Sequence, residues 1–158
     1  MKHSTEESTL AYSVGCIARS AVGGKLAEQW TGNQGSLKNI LIVDDNAAIR
    51  CSLRINLERC ADWAVCGEAE NGREGIKQAL LRILDLILMD LSTPVMNGFQ
   101  AARELRRLLP TVPIVMLTTF NSEFVEAAAL ASGIKAVRSK AVGLESLYRT
   151  MHALLAAA

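Results

Sequence analysis

Polar side chains stand directly after apolar runs of this sequence, at positions where they could meet around one ligand. The pair Asp44–Asp45 follows the run I-L-I-V, Asp90 follows L-I-L-M, and Thr118 follows I-V-M-L. Lys140 follows a fifth segment that is more polar. Carboxylates, a hydroxyl and an amine can together bind a cation and stabilise negative charge on a ligand, provided that the fold brings them together.

Each of these residues also has an ordinary explanation by itself. Asp45 or Asn46 can cap a helix, Thr118 can close a strand, and Lys140 can be a solvated loop charge. Three carboxylates in one crevice, however, repel one another and raise each other's pKa unless a cation joins them. Hard oxygen ligands without a nearby histidine or cysteine favour Mg²⁺, and the lysine supplies a second positive charge.

The elements that position these residues follow from the pattern after residue 38. Short apolar runs alternate with segments of helical period, which is typical of successive βα units. The pattern predicts five strands, at 39–43, 64–68, 85–89, 113–117 and 134–138, with five helices between and after them. Apolar stripes predict the core faces of three of the helices, and their members are Ile49, Leu53 and Leu57, then Ile76, Leu80 and Ile83, then Leu144, Leu147, Met151 and Leu154.

The order of the strands can be predicted as well. Strands one, three and four are continuous apolar runs, which indicates burial on both faces, whereas Gly67 and Glu68 in strand two and Lys135 and Arg138 in strand five indicate edges. Right-handed crossovers then favour an α/β fold with a doubly wound parallel sheet in the flavodoxin-like order 2-1-3-4-5. Ligands bind such sheets beyond the carboxyl ends of the strands, where the polar residues fall.

Four motifs in this order resemble the receiver domains of two-component response regulators. They are I-L-I-V-D-D-N at 40–46, L-I-L-M-D-L-S-T-P-V-M-N-G at 86–98, I-V-M-L-T-T at 114–119 and the lone Lys140, seven residues after Gly133. The resemblance covers about residues 39–155. We therefore predict a receiver domain at 39–158, and we interpret residues 1–38, which are rich in glycine and small polar residues, as a flexible N-terminal extension.

The resemblance implies a Mg²⁺ site. Asp45 and Asp90 resemble direct metal ligands, Asp44 a ligand through water, and the backbone carbonyl of Ser92 the third protein ligand.

The resemblance also implies a phosphoryl switch. Asp90 resembles the phosphoacceptor, Thr118 the hydroxyl that reaches a phosphoryl oxygen, and Lys140 the ammonium that pairs first with Asp90 and then with phosphate. The donor would be a phosphohistidine on a sensor histidine kinase or a phosphotransfer protein. Phosphorylation would alter the face of helix four, strand five and helix five. The protein would be a switch that promotes its own phosphorylation and dephosphorylation, not an enzyme with a separate substrate.

Some positions depart from the pattern of that family. Thr93 and Asn97 stand where methionine and aspartate are common, which we expect to tune the loop after Asp90. Val137 stands where a tyrosine or phenylalanine is common, so we expect a weakened aromatic switch and at most a weak homodimer.

Composition restricts the partners. The formal net charge is +1, so the chain as a whole has no electrostatic reason to bind nucleic acid or a membrane. Four cysteines without a C-x-x-C pair and two distant histidines make a zinc site a poor interpretation, and we expect reduced thiols in a cytoplasmic protein.

Residues 62–75 and 101–109 resemble regulators with a LuxR-type helix-turn-helix output. We expect this chain to lack that output domain and direct DNA binding, with a downstream protein target unidentified.

Three alternative functions can be compared with a phosphorylated receiver domain on the residues alone. A pseudo-receiver would keep the fold for docking without phosphorylation, but the complete set of acidic, hydroxyl and lysine positions argues against it. A haloacid-dehalogenase-like phosphatase needs a second acid two residues after its nucleophile, where this sequence has Ser92. A flavodoxin-like binder needs a phosphate cradle rich in glycine, serine and threonine after strand one, and that cradle is missing here.

Overall fold

A computed structural model describes residues 37–119, 122–141 and 143–157. Strands and helices alternate through these residues, in the order β1 (Lys38–Val43), α1 (Ala47–Glu58), β2 (Trp63–Ala69), α2 (Gly72–Leu80), β3 (Leu86–Asp90), α3 (Gly98–Leu108), β4 (Ile114–Thr118), α4 (Glu123–Ala131), β5 (Ala136–Ser139) and α5 (Leu144–Ala156). Nearly all of the predicted extension, residues 1–36, lies outside the described residues.

The strands form one parallel sheet in the order β2-β1-β3-β4-β5, as predicted. The strand ends differ from the prediction by one or two residues. Asp90 and Thr118 are the last residues of β3 and β4, because their backbones continue the ladders opposite Leu117 and Ser139. The chain reverses its direction of winding between β1 and β3, so a crevice opens there at the carboxyl ends.

Two apolar layers enclose the sheet. Alternate residues of β1 point to opposite layers: Leu41 and Val43 join the core under α2, α3 and α4, whereas Ile40 and Ile42 join the core under α1 and α5. This double burial explains why the central strands read as unbroken apolar runs.

The predicted apolar stripe of the second helix is correct for Ile76, which packs against the core, and wrong for its other two members. Leu80 is 55% exposed and Ile83 is 87% exposed, because α2 ends at Leu80 and its buried positions are Gly72, Gly75 and Ala79. The sheet approaches this helix closely: a Cβ atom at Gly75 would lie 2.8 Å from a methyl group of Val43. Small residues therefore form the contact that the larger side chains were expected to make.

Helix caps fix where the helices begin at the carboxyl rim of the sheet. Asn46 caps α1, since its side-chain oxygen accepts hydrogen bonds from the amides of Ala48 and Ile49 at 2.9 and 3.3 Å. Asn97 caps α3 through a capping box with Gln100. These caps hold the loops after β1 and β3 against their helices. Within the described ranges, no helix is long and apolar enough to cross a membrane.

Candidate functional site

An acidic cluster lies at the crevice between β1 and β3. Oxygen atoms of Asp44, Asp45 and Asp90 all lie within 4.8 Å of one another. Asp44 and Asp90 are buried, at 1% and 4% exposed, whereas Asp45 is exposed. The structure thus brings together the three carboxylates that the sequence placed at strand ends.

Lys140 joins the two buried carboxylates. Its Nζ atom lies 2.6 Å from Oδ2 of Asp44 and 2.9 Å from Oδ1 of Asp90. The Lys140 amide donates to the carbonyl of Thr118 at 2.8 Å, which ties the β5–α5 loop to the end of β4. Pairing with Asp90 was expected from the resemblance, and the shorter contact with Asp44 was not.

The surroundings keep Lys140 protonated. Burial by itself lowers the pKa of Lys140, but hydrogen bonds and charge attraction from Asp44 and Asp90 outweigh burial, so that its pKa is raised above the ordinary value. The ammonium is therefore a fixed positive charge inside the cluster at neutral pH.

Backbone amides orient both buried carboxylates. Asp44 Oδ1 accepts from the amide of Asn46 at 2.9 Å, and Asp90 Oδ2 accepts from the amide of Ser92 at 3.2 Å. Each carboxylate therefore has one oxygen toward Lys140 and the other toward an amide two residues later in the chain. The suggested role of the Ser92 carbonyl as a metal ligand stays a prediction.

The loop after Asp90 is tightly constrained. A Cβ atom at Gly98 would lie 2.5 Å from the backbone carbonyl oxygen of Asp90, so only glycine fits there. Thr93 is buried, and its hydroxyl donates to the carbonyl of Met96 at 2.7 Å. Val95 has a φ of 65°, which is unusual for a β-branched residue. The Thr93 hydroxyl therefore links two parts of this loop. The expected tuning of the loop by Thr93 and Asn97 stays a prediction.

Thr118 and Val137 complete the rim and the adjoining core. Thr118 is 3% exposed at the end of β4, next to the strand that leads to Lys140. Its suggested contact with a phosphoryl group stays a prediction. Val137 is 5% exposed and packs in the same apolar layer as Ala129 and Ile134.

The donor set fits a small divalent cation. The three acidic residues named above carry three negative charges, and Lys140 offsets one of them, which leaves two. All candidate side-chain ligands are carboxylate oxygens, the type that Mg²⁺ prefers. Asp45 is exposed toward solvent, so a cation that it holds can keep water ligands.

Sequence reasoning missed Arg50. Its guanidinium donates to the carbonyls of Asp44 and Asp45 at 2.8 and 3.4 Å. The available signal was its spacing, because Arg50, Leu53 and Leu57 share the buried face of α1.

Known proteins are similar to this chain over most of its described part. Residues 40–152 match the model of the response regulator receiver domain. YdfI of Bacillus subtilis, a transcriptional regulatory protein, is 34% identical over 119 residues, which are 75% of this chain and 55% of YdfI. PilH of Pseudomonas aeruginosa is 34% identical over 122 residues, 76% of this chain and 99% of PilH. The chain thus spans about half the length of YdfI and nearly all of PilH.

A solved structure agrees with the predicted likeness to regulators of the LuxR class. The crystal structure of a LuxR-family two-component response regulator from Aurantimonas has a TM-score of 0.74 and 26% identity, covering 77% of this chain and 87% of that one. Because the family model spans most of the chain, this protein belongs to the response regulator receiver domain family.

Proposed function

We propose that this receiver domain is a phosphorylation switch in which Asp90 accepts a phosphoryl group. The observation that carries the proposal is the contact between Asp90 and Lys140 inside a cluster of three carboxylates. Asp90 ends a central strand and has one oxygen on an ammonium and the other on a backbone amide. A carboxylate held in this way has a fixed direction of attack.

The reaction would be an in-line transfer from a phosphohistidine or a small acyl phosphate. An oxygen of Asp90 forms the new bond to phosphorus while the bond from phosphorus to the donor breaks, and the donor leaves with the electron pair. Negative charge gathers on the equatorial phosphoryl oxygens. Lys140 is protonated and contacts the Asp90 carboxylate, so it would turn from the carboxylates toward one of those oxygens.

Mg²⁺ would be held by Asp45, Asp90 and the carbonyl of Ser92, with Asp44 acting through a water molecule. Bound there, it would supply two further positive charges beside the carboxylates and the phosphoryl oxygens. The Thr118 hydroxyl would donate to a further phosphoryl oxygen. Because the acceptor belongs to the protein itself, the domain would be a switch and not an enzyme, and water attack on the acyl phosphate would reset it.

The proposed partners follow from this chemistry. A sensor histidine kinase or a phosphotransfer protein would donate the phosphoryl group, and a protein would respond to the altered face of α4, β5 and α5. We expect this exchange to occur in the cytoplasm. We expect no direct nucleic-acid or membrane binding by the receiver domain, since the net charge of the chain is only +1.

A pseudo-receiver that only docks is the competing function. The two are separated by incubating the protein with acetyl phosphate, with and without Mg²⁺, and measuring its intact mass. We expect a gain of one phosphoryl group that depends on Mg²⁺ and is lost in Asp90→Asn. Asp62→Asn, an exposed aspartate at the opposite end of the sheet, is the control and should be phosphorylated normally. No adduct with acetyl phosphate or with a phosphorylated histidine domain would favour the pseudo-receiver.

A further inference from the structure

Arg50 is a buried charge that the proposed phosphoryl transfer does not use. Its side chain is 11% exposed. Nη1 donates to the backbone carbonyls of Asp44 and Asp45, at 2.8 and 3.4 Å. On its other side, Nε donates to Glu68 at 3.1 Å and Nη2 donates to Glu70 at 3.4 Å. One guanidinium therefore connects the loop after β1 with acidic residues in and just after β2.

This arrangement uses the fork shape of arginine. A planar guanidinium can serve carbonyl oxygens and carboxylates in different directions at once, whereas a lysine ammonium is a compact point charge. Arg50 stands on the core-facing stripe of α1 with Leu53 and Leu57, where a charge is costly unless it is paired. Its partners offset that cost, and two of them are the backbone of the acidic loop.

The same loop has two further anchors. The amide of Asp44 donates to the carbonyl of Ala69 at 3.0 Å, and the amide of Asn46 donates to the Asp44 carboxylate at 2.9 Å. These bonds hold the loop at an amide and at a side chain. Arg50 supplies the bonds to the carbonyls. The direction in which the Asp44 and Asp45 side chains leave the backbone is thereby fixed.

We infer that Arg50 is a positioning residue: it holds the backbone of Asp44 and Asp45 so that both carboxylates face the cation site before a cation binds. This inference rests on the proposed Mg²⁺ site. The hydrogen bonds of the Arg50 guanidinium go to the two loop carbonyls and to the carboxylates of Glu68 and Glu70. Arg50 therefore acts on the acidic cluster through the backbone of the loop.

Charge repulsion and positioning of the loop predict opposite changes in Mg²⁺ affinity when Arg50 is replaced. A positive charge beside a cation site weakens cation binding by repulsion, so removing it would strengthen binding if charge alone mattered. Loss of the bonds to the loop would instead weaken binding, because the ligands would no longer be pre-organised. The sign of the change therefore decides between the two.

Arg54 offers a matched control on the same helix. It donates to Glu68 at 2.6 Å and to Glu58 at 3.2 Å, and it also reaches the carbonyl of Val65 at 3.2 Å. It shares a carboxylate partner with Arg50, but its bonds lead to β2 and not to the acidic loop. Replacing Arg54 thus removes an equal charge and a comparable ion pair without freeing that loop.

The test is a Mg²⁺ titration of the full chain without any phosphoryl donor. Binding is monitored through amide chemical shifts. We expect Arg50→Met to weaken Mg²⁺ binding by about tenfold or more, as for other partners that orient metal ligands. Arg54→Met should change binding by less than about twofold, since it leaves the acidic loop in place. Thermal unfolding of each variant establishes that it is folded.

If Arg50→Met does not fold, Arg50→Lys decides, because it keeps the charge and loses the fork. Weaker Mg²⁺ binding in folded Arg50→Lys supports positioning. Unchanged or tighter binding in a folded Arg50 variant would overturn the inference while leaving the proposed function intact, provided that the wild type binds Mg²⁺ and is phosphorylated. Failure of the wild type to bind Mg²⁺ would overturn both.

Discussion

Lys140 lies closer to Asp44 than to Asp90: its Nζ atom is 2.6 Å from the Asp44 carboxylate and 2.9 Å from that of Asp90. The lysine therefore neutralises a proposed metal-binding residue and the proposed phosphoacceptor together. Since Asp44 is also a proposed ligand through water, binding of Mg²⁺ and release of Lys140 toward a phosphoryl group should be coupled.

Replacing Lys140 should destabilise the metal-free protein. Lys140→Met removes the ammonium that pairs with the buried carboxylates of Asp44 and Asp90, which also lie beside the carboxylate of Asp45. The loss of a buried partner of this kind costs about 3 kcal/mol of unfolding free energy. Added Mg²⁺ should reduce the difference in unfolding free energy between wild type and Lys140→Met, because the cation then supplies the missing positive charge. Urea unfolding with and without Mg²⁺ measures both effects.

The control for this change is Lys135→Met, which removes an exposed lysine. It should unfold at nearly the wild-type urea concentration. Equal stability of Lys140→Met and wild type in metal-free buffer would mean that the ion pairs of Lys140 contribute nothing.

The stabilisation by Lys140 should depend on pH in a defined window. Its folded-state pKa is raised above the ordinary 10.5, so its contribution is fully present below about pH 10.5 and is lost as the pH rises through the higher folded value. The difference in unfolding free energy between wild type and Lys140→Met should thus be constant from neutral pH to about pH 10 and shrink above it. A difference that grows with pH in this range would contradict the raised pKa.

The two acidic residues after β1 should differ in their effect on Mg²⁺. Asp45→Ala removes a proposed direct ligand that is exposed, so it should weaken Mg²⁺ binding strongly with little loss of stability. Asp44→Ala removes a proposed ligand through water and should weaken binding by about tenfold. It also takes a partner from Lys140 and from the Asn46 amide, so this variant should unfold more easily. Equal losses of Mg²⁺ affinity would refute the proposed hierarchy.

Signalling through α4, β5 and α5 should be a modest population shift. Val137 is already buried in the apolar core, with only 5% of its surface exposed, and a β-branched side chain has few rotamers to exchange. No large ring at this position can favour an active arrangement by moving inward. Hydrogen exchange of residues 122–138, with and without a beryllium trifluoride mimic, should therefore change only slightly, with weak dimerisation in sedimentation. Strong protection of the whole face and a tight dimer would disprove this.

The sequence predicts the sheet well because burial on both faces leaves a direct trace. The runs I-L-I-V, L-I-L-M and I-V-M-L are buried throughout β1, β3 and β4, and the interrupted strands β2 and β5 are the edges. The convergence of Asp44, Asp45 and Asp90 followed from strand order alone, because parallel strands end at one rim.

Other features depend on distances that a pattern does not contain. Leu80 and Ile83 fit a helical stripe, yet the close approach of Gly75 to Val43 and the end of α2 leave them exposed. The spacing of Arg50 places it on the buried face of α1, but its bonds to the carbonyls of the acidic loop depend on side-chain geometry. The contact of Lys140 with Asp44 likewise depends on side-chain geometry across 96 residues of sequence separation.

The most direct test of the proposed function locates the phosphoryl group. After incubation with acetyl phosphate and Mg²⁺, borohydride reduction converts an aspartyl phosphate into homoserine, and fragmentation of the digested protein finds the altered residue. We predict homoserine at position 90 alone, and none when Mg²⁺ is omitted. Homoserine at position 44 or 45, or none under conditions that phosphorylate a known receiver domain, would contradict the assignment of Asp90.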